Sequence, residues 1–191
     1  MKKGKLFIIS GPSGTGKGSI CKKLLASDPD LRLSVSVTTR APREGEEHGR
    51  EYYFITSDEY MKLLDEGGLL EHASVYGETM YGTPRKPVVD WMEEGRDVIL
   101  EIDVQGAFQV RENYPDCIMI FILPPSMEEL ENRIRGRGSE TEETMSRRLG
   151  EARREIEQSY KYDYQVVNGD LQQAVAEVQQ IIAEERAQGG E

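Results

Sequence analysis

Short apolar runs alternate with amphipathic segments along the chain. Four runs, at residues 5–10, 98–103, 118–123 and 165–168, are apolar on both faces. Such runs are typical of buried strands in a parallel sheet that is covered by helices on both sides. Together with the helices predicted between them, they indicate an α/β fold with a doubly wound parallel sheet.

The segments between these runs carry helix signals. Residues 16–27 place apolar positions on one helical face. Residues 56–59, 126–129 and 139–142 each have Ser or Thr followed three positions later by Glu, which predicts a capping box at a helix start. The third box is predicted to open a long charged helix that ends near residue 160. Asp170 is predicted to cap the last helix, whose apolar stripe is Leu171, Val175, Val178 and Ile182.

Two segments interrupt this alternation. Residues 34–87 are rich in Arg, Thr, Tyr and Gly, with short β-like pieces such as 51–55, and are predicted to form an inserted subdomain. Residues 126–160 are charged and helical, with a Gly-Arg-Gly step at 136–138, and are predicted to form a mobile flap. The sequence therefore predicts a single domain, 1–191, whose core comprises about 1–33, 88–125 and 161–191.

Charge and composition narrow the classes of partner. The formal net charge is −11, which argues against non-specific binding to nucleic acid or to an anionic membrane. No apolar run approaches the ~18 residues of a membrane span, and no signal peptide is recognisable. Cys21 and Cys117 lack metal-site spacing, so we interpret them as small core residues. We expect a cytoplasmic protein.

A phosphate-binding loop follows the first strand. Residues 11–17 match the pattern G-x-x-x-x-G-K between a predicted strand and a predicted helix. Glycines let successive N–H groups turn around a phosphate, and Lys17 can reach the terminal phosphates. The alternative is an ordinary glycine-rich turn with a surface lysine, which would not require a strand before it and a helix after it. The predicted ATP-binding residues here are Gly11, Pro12, Ser13, Gly14, Thr15, Gly16, Lys17, Gly18 and Ser19.

Gly18 stands where this pattern usually has Ser or Thr, and Ser19 follows it. Two acids, Glu101 and Asp103, end the second predicted strand beside the loop. Acids at such a strand end either bind Mg²⁺ or its water shell, or orient an arginine, or are simply solvated. The metal is expected to be held mainly by ATP phosphates and water, with Ser19, Glu101 or Asp103 as candidate protein ligands.

Two arginines, Arg40 and Arg43, lie three residues apart in a segment that is predicted to be irregular. Two guanidinium groups can grip one phosphate monoester from two sides, and Tyr52 and Tyr81 offer phenolic donors. Taken alone, the arginine pair is more typical of a solvated surface than of a phosphate-binding site.

Six sequence blocks together resemble the guanylate kinase family. They occur in the family's order and cover essentially the whole chain: residues 11–17, 36–43, 81–83, 101–106, 124–126 and 135–138. The resemblance implies a P-loop kinase with a core, a GMP-binding insertion at 34–87 and a lid at 126–160. It implies transfer of the ATP γ-phosphate to GMP with Mg²⁺, in purine nucleotide metabolism and GMP recycling.

The resemblance also assigns residue roles. It implies that the GMP phosphate and guanine are bound by Ser36, Arg40, Arg43, Tyr52, Glu71, Tyr81, Thr83, Glu101, Asp103 and Arg148. It implies that the ATP side and the transferring phosphoryl group are contacted by Lys17, Arg40, Arg133, Arg137, Arg148 and Asn168, the last at the adenine end. Between Gly77 and Tyr81 the chain has one residue more than the family's usual spacing.

The predicted reaction needs no general base, because the acceptor phosphate is a dianion near neutral pH. His48 and His72 fall in no matching motif and are interpreted as solvated or satisfied side chains. Two alternatives remain: a non-catalytic guanylate kinase-like module that binds proteins, and a P-loop kinase with another acceptor. The expected partners are ATP and GMP, without nucleic acid or membrane, in a monomer or homodimer.

Overall fold

The computed structural model describes residues 2–75, 79–136 and 141–188, and it shows an α/β fold. The strands are β1 (Leu6–Ser10), β2 (Leu31–Leu33), β3 (Val37–Thr38), β4 (Tyr53–Phe54), β5 (Leu69–Val75), β6 (Thr79–Pro84), β7 (Asp97–Glu101), β8 (Ile118–Leu123) and β9 (Tyr164–Val167). The helices are α1 (Lys17–Ser27), α2 (Ser57–Asp65), α3 (Arg85–Glu93), α4 (Val104–Asn113), α5 (Met127–Arg135), α6 (Glu142–Glu157) and α7 (Leu171–Gln188), with a 3₁₀ turn at Ser159–Lys161. Across these described ranges, no helix combines the length and apolar character needed to cross a bilayer.

The main sheet has the order β2-β7-β1-β8-β9, and all its pairings are parallel. Phe7 of β1 lies opposite Ile99 of β7 and Ile118 of β8, so β1 is central. The predicted doubly wound parallel sheet is confirmed. The four predicted runs correspond to β1, β7, β8 and β9, with their ends within two residues of the prediction.

Side chains alternate between two hydrophobic layers. Phe7 and Ile9 pack in a cluster with residues of α1 and α7, whereas Leu6 and Ile8 pack in a second cluster with residues of α3 and α4. Successive strand residues point to opposite faces, which explains why an unbroken apolar run is needed here. Cys21 and Cys117 are buried and unbridged, one in each cluster, as predicted.

A second sheet lies within residues 34–87. Its order is β4-β3-β6-β5, with β6 antiparallel to both β3 and β5. Strand β3 is only two residues long, and Arg40 and Arg43 lie beyond it outside any helix or strand, as predicted. β5 is the outer strand on the side that faces α4.

Three of the four predicted helix caps are confirmed. Thr56 and Glu59 form a reciprocal capping box, Ser126 accepts the N–H of Glu129 at 3.0 Å, and Asp170 accepts that of Gln173 at 2.9 Å. The cap predicted at Ser139 lies outside the described residues, and the helix starts two residues later than that capping box predicted. Helix α6 begins at Glu142 because Thr141 is its cap and accepts the N–H of Thr144 at 3.2 Å.

The prediction that the second strand extends to Asp103 is also wrong. Strand β7 ends at Glu101, and the Asp103 carboxylate caps α4 by accepting the N–H of Gly106 at 2.7 Å. An N-cap residue accepts one of the N–H groups that a helix start leaves unpaired, which stabilises the start by about 1 kcal/mol. Asp103 therefore reaches the site from a helix start.

Candidate active site

The phosphate loop connects β1 to α1 at the carboxyl end of the main sheet. Ligands of open α/β sheets bind at this edge, where neighbouring connections diverge. A Cβ on Gly11 would lie 2.3 Å from the carbonyl oxygen of Ile122 in β8, and one on Gly16 would lie 2.5 Å from Nδ2 of Asn168. The φ angle of Gly16 is 87°, in the left-handed region. Only glycine fits at either position.

Contacts inside and below the loop fix its shape. The Thr15 hydroxyl donates to the Pro12 carbonyl at 2.8 Å, and Asn168 Nδ2 donates to the Thr15 carbonyl at 2.7 Å. Asn168 is 5% exposed and follows β9. Its amide donor is therefore engaged in supporting the loop, a role that the sequence did not reveal, while its contact with the adenine end stays a prediction.

Lys17 begins α1 and folds back over the loop. Its ammonium group donates to the carbonyl oxygens of Gly11 and Pro12. A cavity of about 400 Å³ lies beside it and is lined by Ser13, Gly14, Gly16, Lys17, Gly18, Ser19 and Glu101. The N-terminus of α1 adds a positive dipole end to this cavity, so an anion would be stabilised there. Six of the nine predicted loop residues thus line one concave site.

Arg40 is held in place by neighbouring side chains. Its two terminal nitrogens donate to the two carboxylate oxygens of Glu46 at 2.7 and 2.8 Å, and both side chains are less than one-fifth exposed. The guanidinium carbon lies 5.1 Å from the ring centre of Tyr52 and 5.6 Å from that of Phe54. Such stacking and paired hydrogen bonds orient a guanidinium group.

Glu46 is a candidate site residue that sequence reasoning missed. It also accepts the backbone N–H of Arg43 at 2.8 Å. The hydrogen bonds from Arg40 and Arg43 lower the pKa of Glu46 to about 2, so it stays ionised beside the arginine. In the sequence, the only indication of this contact is that Glu46 lies within six residues of both arginines. The Arg43 side chain is exposed.

Tyr81 lies in β6 opposite Thr38 of β3 and Ala73 of β5. Its ring meets that of Tyr52 edge-on at 5.8 Å, so the two predicted phenols lie together near Arg40. The Tyr60 hydroxyl donates to the Tyr81 carbonyl at 2.7 Å. Strand pairing thus fixes the position of Tyr81; Gly77, at the start of the longer spacing, lies outside the described residues.

Two predicted guanine-pocket carboxylates converge. Glu71 is 7% exposed and accepts the hydroxyl of Thr83 at 2.7 Å. A Cβ on Gly106 would lie 3.1 Å from Glu71 Oε2 and 3.4 Å from Asp103 Oδ1. The missing side chain of Gly106 leaves room for both acids. Ser36, also predicted here, is half-buried and its carbonyl accepts the N–H of Tyr53.

Two of the three predicted lid arginines lie on α5 and α6. Arg133 donates to Glu129 at 2.9 Å, Arg148 is half-buried on α6, and Arg137 lies outside the described residues. Helix α5 touches the loop, since a Cβ on Gly14 would meet Leu130 and Ile134 at 3.2 and 3.1 Å.

Helix α6 approaches the loop through Glu155. Burial raises the pKa of Glu155, and the nearby Lys17 ammonium acts in the opposite direction. Glu155 and Asp103 line a second cavity of about 350 Å³. Arg148 is seven residues from Glu155 and so lies on the same face of the helix.

Comparison with known proteins identifies the family. A family model described as guanylate kinase matches residues 3–185.

This chain belongs to the guanylate kinase family.

Relatives in the guanylate kinase family match over nearly the whole chain. Guanylate kinases from Clostridium tetani and Clostridium acetobutylicum are 53% and 52% identical, over 97% of this chain and 88% of each relative. The crystal structure of guanylate kinase from Anaplasma phagocytophilum superposes with a TM-score of 0.76 at 36% identity. The match covers 100% of this chain and 89% of the Anaplasma phagocytophilum chain. The family predicted from the sequence blocks is confirmed.

The buried carboxylate predicts a pH dependence of stability. Burial raises the pKa of Glu71, the Thr83 hydroxyl opposes this by donating to it, and Asp103 raises it further. The folded state therefore holds the Glu71 proton more tightly than the unfolded state does. As a result, the free energy of unfolding falls as the pH rises from the ordinary glutamate pKa to the raised pKa of the folded state. Glu71→Gln should remove this fall, so the variant should gain stability relative to the parent as the pH rises above the ordinary glutamate pKa of about 4.

Urea unfolding at several pH values across that range measures the difference. Glu177→Gln, which changes an exposed carboxylate on α7, is the matched control and should track the parent. A stability difference between Glu71→Gln and the parent that stays constant with pH would contradict the prediction.

Proposed function

We propose that this chain transfers the γ-phosphate of ATP to GMP, giving ADP and GDP. The observation that carries the proposal is the pairing of two sites at one edge of the sheet. The phosphate loop with Lys17 supplies an anion cradle, and the buried Glu71–Thr83 pair beside Asp103 supplies a polar pocket. Membership of the guanylate kinase family supports the same reaction.

In this proposal the parts of the chain have distinct tasks. Residues 34–87, with the second sheet, form a GMP-binding subdomain, and residues 126–160, with α5 and α6, form a lid. The remaining residues form the core that carries ATP. Contact of α5 with the phosphate loop at Gly14 would let lid movement change the phosphate site directly.

The chemistry is mainly electrostatic. A phosphate oxygen of GMP is already a nucleophile, so the protein must bring two polyanions into line and neutralise their charge. Lys17 would stay with the moving phosphoryl group, and Arg40 and Arg43 would hold the acceptor phosphate. Arg133, Arg137 and Arg148 would add positive charge from the lid as it closes, which also keeps water from competing.

Guanine recognition would depend on Glu71. The N1–H and N2 amino groups of guanine are adjacent donors, and one carboxylate can accept both. The Thr83 hydroxyl orients that carboxylate at 2.7 Å and leaves its other lone pairs available. Adenine would set the lone pair of its N1 against the carboxylate, and such a mismatch leaves buried polar groups unpaired.

The acceptor phosphate would meet a preformed arginine. Because Glu46 and the rings of Tyr52 and Phe54 already orient Arg40, less side-chain freedom is lost when GMP binds. Tyr81, whose ring meets that of Tyr52, would add a phenolic donor.

Mg²⁺ would accompany ATP. Ser19 and Glu101 line the phosphate-loop cavity and offer the hard oxygen donors that Mg²⁺ prefers, whereas Asp103 Oδ1 is engaged as a helix cap. No cluster of three or more acidic, Cys or His side chains suited to a metal occurs in the described part of the chain. This donor set fits an ion held mainly by phosphates and water. Such an ion would neutralise phosphate charge.

A panel of acceptors tests the proposed function. With Mg·ATP, coupled detection of ADP should show turnover with GMP and at most about 1% of that rate with AMP, CMP or UMP, because guanine alone matches the pocket. Equal rates with another monophosphate would reassign the acceptor. Absence of turnover with every nucleotide would reject the kinase and favour a binding module.

Lys17 should be essential for turnover. Lys17→Met keeps the side-chain length but removes the charge, and we expect kcat to fall by about 10³-fold or more while the fold survives. Lys22→Met, at an exposed position on the same helix, is the matched control and should keep parental activity. Near-normal turnover of a folded Lys17→Met protein would exclude this lysine from the mechanism.

A further inference from the structure

Strand β5 ends the second sheet, and its outer edge faces α4. An edge strand leaves alternate N–H and C=O groups without a neighbouring strand. At His72 both groups are paired by one side chain. Gln109 Oε1 accepts the His72 N–H at 3.0 Å, and Gln109 Nε2 donates to the His72 carbonyl at 2.9 Å.

A second amide makes one hydrogen bond to the same edge two residues back along β5. Asn113 Nδ2 donates to the Leu70 carbonyl at 3.2 Å. Gln109 and Asn113 are four residues apart, so they share one face of α4. Helix α4 therefore takes the place of a neighbouring strand along this edge, with two amide side chains as the pairing groups.

Glu71 lies between the two residues that are held in this way. Its backbone is fixed on one side at Leu70 and on the other at His72, while its carboxylate is buried against Thr83 and the start of α4. The same helix supplies Gly106 and Asp103, which border that carboxylate. One helix thus sets the backbone around Glu71 and also the wall beside its side chain.

We propose that Gln109, assisted by Asn113, is a positioning residue that holds the Glu71 carboxylate in register with Asp103 and thereby sets guanine recognition. The inference rests on the proposed function. A carboxamide is the neutral side chain that presents a donor and an acceptor together, as a strand backbone does. A carboxylate that must accept two adjacent N–H groups tolerates little tilt, so its backbone anchors affect binding of the base.

Removing the Gln109 amide tests the inference. Gln109→Met keeps a similar size and removes both hydrogen bonds to His72. We expect the KM for GMP to rise about tenfold, with kcat within about threefold and the KM for ATP unchanged. Gln172→Met makes the same chemical change at an exposed position on α7 and should leave all three constants at the parental values.

A double variant separates positioning from general support of the fold. Glu71→Ala alone should raise the KM for GMP strongly. If Gln109 acts through Glu71, adding Gln109→Met to Glu71→Ala should raise it no further, because coupled residues are not additive. A purely structural role would instead multiply the KM by the same factor in both backgrounds, and that result would overturn the inference.

Three further results would also decide whether Gln109 positions Glu71. A folded Gln109→Met protein whose KM for GMP stays within twofold of the parent, while Glu71→Ala raises it, would overturn the inference and leave the proposed function standing. If Gln109→Met does not fold, Asn113→Ala removes the single bond to Leu70; a rise of about threefold supports the inference and an unchanged KM overturns it. A parent that fails to phosphorylate GMP would instead reject the proposed function, and this inference with it.

Discussion

The site depends on close contact between the phosphate loop and the strands beside it. Gly11 lies against the Ile122 carbonyl of β8, and Gly16 lies against Asn168 at the end of β9. These contacts hold the loop's backbone in the shape that can surround a phosphate, before any nucleotide arrives. The shape of the loop also sets the position of α1 and the direction of its dipole, because the helix starts where the loop ends. A preorganised cradle is needed because the repulsion between two polyanions must be offset by groups that are already in place.

The acceptor side is built on a different principle. Its sheet is small, and its candidate recognition groups are held by polar contacts between residues that lie 6 to 37 positions apart. Glu46 orients Arg40, Thr83 orients Glu71, and amides of α4 hold the edge of β5. Helix α4 is capped by Asp103, two residues after the end of β7 beside the phosphate loop, and it ends beside β5. One helix therefore links the phosphate-loop edge of the main sheet to strand β5 of the second sheet.

The sequence predicted those parts of the molecule whose signals are local. Buried parallel strands need apolar residues on both faces, so β1, β7, β8 and β9 were visible as runs, and the phosphate loop was visible as a spacing. The end of β7 was misplaced because Ile102 continues the apolar run, while the capping role of Asp103 depends on a contact with Gly106. Strands β5 and β6 lack a clean alternation, since β6 contains Gly82 and ends at Pro84.

Contacts between distant residues could not be predicted from the sequence. Gln109 and His72 are 37 residues apart, and Asn168 and Thr15 are 153 apart. Neither pair has a local signal, because an amide in a helix or after a strand is ordinarily solvated. The sequence blocks nominated the groups that are proposed to touch the nucleotides, whereas the structure revealed the contacts of Glu46 with Arg40, of Gln109 with His72 and of Asn168 with the phosphate loop.

The fate of a labelled γ-phosphate tests the central claim most directly. The protein would be incubated with Mg²⁺, GMP and ATP labelled with ³²P at the γ position, and the nucleotides separated with time. If a preorganised cationic site joins the two nucleotides end to end, label should appear in GDP in step with ADP formation, with little released as inorganic phosphate. Label that remains in ATP, or that is released chiefly as inorganic phosphate, would contradict the account.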